Sequence, residues 1–267
     1  MNITFLTDYG RDDEFVGICH AVMRAIAPDA AIVDLSHGIR RHDVREGAIV
    51  LRNALPYLPP GPIVAVVDPQ VGTERRALAV QCADKRLLVG PDNGVLSLAW
   101  ERAGGVVEAV DVTRSPLRLE PVSATFHGRD VFAPVAAHLA LGVELLEAGE
   151  PLDVAELTAI ELPTAEIADG AVVAHALLID RFGNVGLNMG HAELMALGLT
   201  IGARARLTVA GQTDEAVVVQ TFADVPEGEL LVYEDAWGSL AIAVNRGDAA
   251  GELGLGVDDE VRISPAA

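Results

Sequence analysis

Lysine is almost absent from this chain: Lys85 is the only one among 267 residues. That excludes a phosphate-binding Gly-Lys-Ser/Thr loop and leaves almost no scope for a Schiff-base lysine. Cysteine is nearly as scarce. Cys19 and Cys82 lie in segments that read as a helix and a strand, the usual setting of buried reduced thiols, so neither a disulfide nor a metal-binding thiolate pair is expected. Among the seven histidines no pair has a zinc-ligand spacing. The closest cluster, His37, His42 and Asp43, is flanked by Arg40 and Arg41, which repel a cation, so no metal is expected. The serine-nucleophile pattern Gly-x-Ser-x-Gly is missing. No apolar run approaches the roughly 18 residues of a membrane span, and MNITFLTDYG lacks a basic stretch followed by an apolar one. The expectation is a soluble, cytoplasmic protein.

Acidic residues are what the chain has in excess, 39 against 19 basic ones, for a formal charge of −20. Nucleic acid is thereby an improbable partner, because phosphate contacts need clustered Lys and Arg. The excess is uneven. From residue 151 onward there are 19 acidic and 5 basic residues, against 20 and 14 before it, so the two parts differ chemically. The length allows one large domain or two smaller ones.

In the first part, Ile3 to Thr7, Ile32 to Leu35, Ile63 to Val67, Leu78 to Val80 and Leu87 to Val89 read as short buried strands. Glu14 to Ile26 and Val44 to Leu55 have helical spacing, the second stopped by Pro56 and the prolines that follow. A further helix is expected from about Val131 to Leu141, with Pro134 in its first turn. This is the pattern of an α/β fold with an open, mainly parallel sheet over residues 1–160. From about residue 170 the rhythm changes to Val172–Ile179, Ala205–Val209, Ala216–Thr221, Leu230–Glu234 and Leu240–Val244, which reads as a smaller all-β, barrel-like domain over 170–267. The Pro-rich, acidic stretch from Glu147 to Asp169 is the candidate connection.

Ligands of open α/β sheets bind beyond the carboxyl ends of the strands, where Asp8, Asp68 and Asp92 stand. The first such turn, Thr7-Asp8-Tyr9-Gly10, is followed by Arg11-Asp12-Asp13-Glu14 rather than by a run of glycines. Its carboxylates repel phosphate and accept bonds from hydroxyls, so it suits a ribose diol or a cation. Asp12, Asp13 and Glu14 read as helix-capping groups, and Asp8 as either a turn-former or a ligand. The segment from Asp68 to Arg76 packs a carboxylate and two arginines into one connection, and only one of Arg75 and Arg76 can face a given site. His127 precedes a helix, whose N-terminus favours a neutral imidazole. In the second part, Asp180, Phe182 and Asn184 surround a bend, which is either a tight corner or a base-binding one, with Phe182 stacking and Asn184 hydrogen-bonding.

Six spaced segments, TDYG at 7–10, DPQVGTERR at 68–76, PDNG at 91–94, TFHGRD at 125–130, IDRFGNVGLN at 179–188 and AIAVNRGDAA at 241–250, together resemble the S-adenosyl-L-methionine (SAM) hydroxide adenosyltransferases, relatives of the SAM-dependent chlorinases and fluorinases. The resemblance implies hydrolysis of SAM to adenosine and L-methionine without a cofactor. It further implies a homotrimer with sites between the N-domain of one subunit and the C-domain of the next. Asp68, Arg75 and His127 would orient and activate water, Asp8 would take the ribose hydroxyls, and Asp180, Phe182 and Asn184 would hold adenosine, with Trp237 a further neighbour. Gln70 stands where the family usually has glycine, and Ala236 where a serine is frequent. The alternatives are a halogenase, against which a carboxylate at Asp68 argues by repelling a halide, and a non-catalytic adenosine- or SAM-binding protein.

Overall fold

The computed structural model describes residues 1–266. Its backbone forms two compact units, Met1–Ile160 and the chain from Glu161 onward.

The first unit contains strands β1 (Asn2–Thr7), β2 (Ala31–Ser36), β3 (Ile63–Val66), β4 (Ala77–Cys82), β5 (Leu87–Pro91), β6 (Val106–Asp111) and β7 (Glu150–Pro151) in one sheet of order β2-β1-β3-β5-β4-β6-β7. Helices α1 (Phe15–Ile26), α2 (Val44–Ala54), α3 (Ser97–Arg102) and α4 (Ala133–Ala140) complete it. Strands β2, β1, β3 and β5 are parallel neighbours, whereas β4 runs against β5 and β6, and β7 runs against β6. Five strands therefore share one direction. The reversal at β4 follows from chain length: residues 83–86 join it to β5, too few for the crossover that a parallel return needs.

Alternation along each strand explains why both faces are covered. Ile3 and Phe5 of β1, Val64 and Val66 of β3, and Ala77 and Ala79 of β4 bury into one core with Met23 of α1 and Val135 of α4. Leu6, Ile63, Ala65, Leu78 and Val80 face the other way, onto Leu51 of α2 and Ala99 of α3. Asp43 starts α2 by accepting a hydrogen bond from the Glu46 N–H at 2.8 Å, and a short 3-10 turn, Leu55–Tyr57, carries Pro56 where the helix stops.

Three local expectations change. Helix α1 begins at Phe15 with no side-chain cap and no acidic residue in its first turn, so Asp12, Asp13 and Glu14 do not cap it; they lie in the bend that leads to it. The helix expected from Val131 is preceded by a π-helical turn, Gly128–Phe132. The stretch read as a connection contributes β7, a turn at Val154–Glu156 and strand β8 (Glu166–Ala168).

The second unit continues with β9 (Ala171–Ile179), β10 (Val185–Gly190), α5 (His191–Ala196), β11 (Arg204–Val209), β12 (Gln212–Val218), β13 (Leu230–Glu234), β14 (Ser239–Val244), α6 (Ala249–Leu253) and β15 (Glu260–Pro265). The order β10-β14-β13-β12-β11-β15-β9 closes through β9–β10 pairing into a seven-stranded barrel, with β8 added outside. Closure removes the unpaired edges. Val172, Leu187, Leu207, Ile242 and Ile263 fill the interior. Among the described residues no helix is long and apolar enough to cross a membrane.

Candidate active site

Asp68 stands just beyond β3, Arg75 in the connection entering β4, and His127 immediately before the π-helical turn. The fold brings all three together. Arg75 donates from Nε to Asp68 Oδ1 at 2.9 Å and from Nη2 to Oδ2, a bidentate pair. Both side chains are about 5% exposed or less, which puts the pair in a medium where charge interactions are strong. The same Nη2 lies 3.1 Å from His127 Nδ1. Because a guanidinium only donates, Nδ1 must accept, and the proton of neutral His127 resides on Nε2. Burial, and then the Arg75 charge, push the His127 imidazolium below its ordinary pKa. Phe132, at the end of the π-helical turn, places its ring 5.3 Å from the Arg75 guanidinium carbon.

Arg76 points elsewhere, to Asp92 at 2.8 Å and Glu156 at 3.0 Å, as alternation required. Asp92 also accepts the Thr158 N–H and is thereby committed to structure. The left-handed backbone of the 68–76 turn falls on Gly72 (φ 81°), not on Gln70, so glutamine at that place needs no backbone change.

Asp68 and His127 line a cavity of about 260 Å³ together with Asp8, Tyr9 and Asp13 from the first turn, and Arg41 and His42 before α2. Asp8 Oδ2 accepts the His42 N–H at 2.9 Å. Tyr9, Phe15 and Phe126 form an aromatic trio with ring centres 5.3 to 6.0 Å apart. Burial raises the Tyr9 hydroxyl well above its ordinary pKa, so it stays protonated. A Cβ on Gly128 would overlap the Tyr9 hydroxyl oxygen. Glycine is what lets the ring cover the start of the π-helical turn.

In the second unit Asp180 closes the β9–β10 corner: Oδ1 accepts the N–H groups of Phe182 and Asn184, and Oδ2 accepts the Asn184 amide at 2.8 Å. Its carboxylate shapes the corner, and Phe182, 67% exposed, is what the corner presents. Gly183 (φ 81°) sits so close to the Asp248 carboxylate that a Cβ would overlap it. Phe182 and Asn184 line a second cavity of about 500 Å³ with Phe222, Asn245 and Arg246. Trp237 lies in the turn between β13 and β14, where Asp235 accepts its N–H at 2.8 Å. Ala236 is exposed beside it.

Residues 3–149 match the family model for the SAM hydroxide adenosyltransferase N-terminal domain, and residues 174–262 match that for its C-terminal domain. The chain belongs to the SAM hydroxide adenosyltransferase family. A relative from Salinispora tropica, named (R)-S-adenosyl-L-methionine hydrolase, is 44% identical over 98% of this chain and 97% of its own. One of the same name from Thermus thermophilus is 39% identical over 98% of both chains. A fluorinase from Nocardia brasiliensis is 30% identical over 98% of this chain and 96% of its own. A crystal structure of a conserved protein from Thermotoga maritima superposes with a TM-score of 0.92 at 36% identity, covering 98% and 99% of the two chains.

Within this SAM hydroxide adenosyltransferase, the aromatic trio, Phe222, Asn245 and Arg246 had no role in the sequence reading, and Arg41 and His42 entered it only in the metal cluster that was set aside. Tyr9, Phe126, Asn245 and Arg246 do lie inside the segments that carried the resemblance, and that was their one signal. Nothing linked Arg41 and His42 to this cavity, because they reach it through the β2–α2 connection, far along the chain from Asp8.

Proposed function

We propose that this chain hydrolyses SAM to adenosine and L-methionine by attack of water on C5′ of the ribose. The observation that carries this reading is the buried Asp68–Arg75–His127 cluster on the wall of a cavity that also holds Asp8. The sulfonium is a good leaving group, so no general acid is needed. The C5′–S bond breaks with its electron pair going to sulfur, a water lone pair forms the C5′–O bond, and one water proton must leave. With His127 Nδ1 accepting from Arg75, the imidazole offers Nε2–H as a donor to hold the water. Asp68 is then the proton acceptor, returning the proton to solvent. Arg75 fixes both partners and favours hydroxide-like character on the water. Alignment of this kind supplies on the order of 7 kcal/mol when the attack geometry is good. No metal or redox cofactor takes part in bond making.

Asp8 takes the ribose hydroxyls, and Phe182 and Asn184, held by Asp180, take the adenine, with Trp237 beside them. The first cavity lies below the roughly 300 to 1,000 Å³ usual for a whole small-molecule ligand, which supports a divided site. We propose a homotrimer whose sites join the N-domain of one subunit to the C-domain of another, working in a reducing cytoplasm that keeps buried Cys19 and Cys82 as thiols.

The test is incubation with SAM in halide-free and halide-rich buffers, followed by identification of the nucleoside. Adenosine with equimolar methionine is expected in both. A 5′-halogenated nucleoside in the halide-rich arm would establish halogenation instead, and unchanged SAM in both would leave a binding protein.

A further inference from the structure

Three donor groups outside the reaction site converge at the end of β2. Asp34 pairs with Phe5 across the β1–β2 ladder, His37 follows the last residue of β2, and His20 reaches in from α1. His20 Nε2 lies 2.8 Å and His37 Nε2 3.0 Å from the same oxygen, Asp34 Oδ1. One potential ligand atom from each residue falls within 4.8 Å of the others. His37 is fully buried at its side chain. Although Asp34 Oδ1 is near, its direction is wrong for a hydrogen bond, so His37 Nε2 has no hydrogen-bond partner among the described residues. A buried imidazole nitrogen in that condition carries a cost.

We propose that His20, Asp34 and His37 bind a divalent metal ion of the zinc class, with solvent as the fourth ligand. Two imidazoles and one carboxylate are a borderline donor set that suits Zn²⁺ rather than the all-oxygen preference of Mg²⁺ or Ca²⁺. Ligand atoms at about 2.1 Å from a tetrahedral ion sit roughly 3.4 Å apart, so side-chain rotations that open the two Asp34 distances and bring the imidazole nitrogens to that spacing complete the site. His20 and Asp34 are 27% and 29% exposed, which leaves water access on one side, while Phe5, 5.0 Å from the His37 ring, walls the other.

Second contacts fit the same reading. Thr7 Oγ1 lies 2.8 Å from His37 Nδ1, and by accepting Nδ1–H it leaves the Nε2 lone pair aimed at the ion, the usual outer partner of a metal-bound histidine. The site also has a structural consequence. The His37 carbonyl accepts the Gly10 N–H at 2.8 Å, and Thr7 Oγ1 accepts that of Tyr9 at 3.2 Å. An ion on His37 therefore fastens the Thr7–Gly10 turn, which carries Asp8, from behind and away from the bond-making groups.

The experiment uses the full chain without a tag, stripped with chelator, then dialysed against Zn²⁺ or Mg²⁺ and assayed by plasma mass spectrometry and thermal unfolding. One Zn²⁺ per chain with a Tm rise of several degrees is expected, and no retained Mg²⁺. His20→Ala and Asp34→Asn, both partly exposed and tolerable to folding, should each abolish retention and the Tm rise. His191→Ala, an exposed histidine elsewhere, should abolish neither. Retention well below one equivalent, or retention unchanged in both ligand variants, overturns the proposal and leaves a His–Asp–His cluster without an ion. Because the readouts are metal content and Tm, they are independent of the reaction proposed above.

Discussion

At the scale of single residues, the division of labour between nucleophile and nucleoside is testable by substitution. His127→Ala should lower turnover by roughly 10²- to 10³-fold, the usual range for removing one positioned hydrogen-bond donor at a reacting oxygen, with adenosine affinity nearly unchanged by calorimetry. Arg75→Ala should lower turnover likewise, and because it leaves Asp68 buried without its partner it should also cost about 3 to 5 kcal/mol of stability. Asp8→Ala should show the opposite balance, weakening adenosine by about 1.5 to 3 kcal/mol. Parental turnover in both His127→Ala and Arg75→Ala would refute the water-activating assignment. Since burial and Arg75 hold His127 below its ordinary 6.5, the imidazole stays neutral as pH falls through 6.5 and protonates only lower. The loss of kcat/KM that His127 protonation causes should accordingly lie below pH 6.5 and be absent from His127→Asn; a loss above 6.5 that His127→Asn removes would contradict the geometry. Asp68, Arg75 and His127 came forward in the sequence only through the segments that carry the family resemblance, and the fold brings the three side chains together. The alignment of Asp180 was not, since nothing in a sequence says whether a carboxylate turns outward to a ligand or inward to its own corner.

At the scale of elements, the π-helical turn before α4 does what a regular helix start would not. It inserts an extra residue into the turn beside the site, a feature often found at functional positions, and carries Gly128 under Tyr9 and Phe132 beside Arg75. Gly128→Ala tests this by its sign. In an ordinary helix, glycine to alanine stabilises by about 0.5 to 1 kcal/mol, whereas here the added methyl meets the Tyr9 ring, and overpacking should destabilise by about 1 to 3 kcal/mol and depress turnover. A rise in Tm with parental turnover would show that the ring is free to move. The sequence pattern located α1, α2 and most strands because burial imposes periods of 3.6 and 2 on them. It missed α3, α5, α6, β6 and β15, and the direction of β4, because Trp100 and its neighbours are apolar without a clean period, helices of five or six residues are too short to show one, and a short hairpin connection has no signature of its own. The π-helical turn was beyond reach for a similar reason: its extra residue changes no residue type.

For the whole molecule, the decisive question is whether one chain holds a complete site. Length, charge asymmetry and the change of rhythm near residue 170 made two units legible, but a subunit arrangement leaves no periodicity in a sequence and entered only through the family resemblance. Candidate ligands are split between a cavity bearing Asp68 and His127 and another bearing Phe182 and Asn184. If sites join different subunits, a variant defective in turnover and one defective in adenine binding should rescue each other at SAM concentrations well below saturation. Mixing His127→Ala with Asn184→Ala chains by denaturation and refolding gives trimers in which some interfaces pair an intact N-domain with an intact C-domain. For random assembly into a closed ring, about one interface in four is intact, so roughly a quarter of parental activity should return. Each variant refolded alone should stay well below a quarter of parental activity at that SAM concentration, and sedimentation should report a trimer throughout. A site built within one chain predicts no recovery at any mixing ratio, since every chain then carries its own lesion. Absence of recovery in a mixture shown by mass to contain mixed trimers would therefore refute the inter-subunit site, while leaving the assignment of His127 to the water untouched.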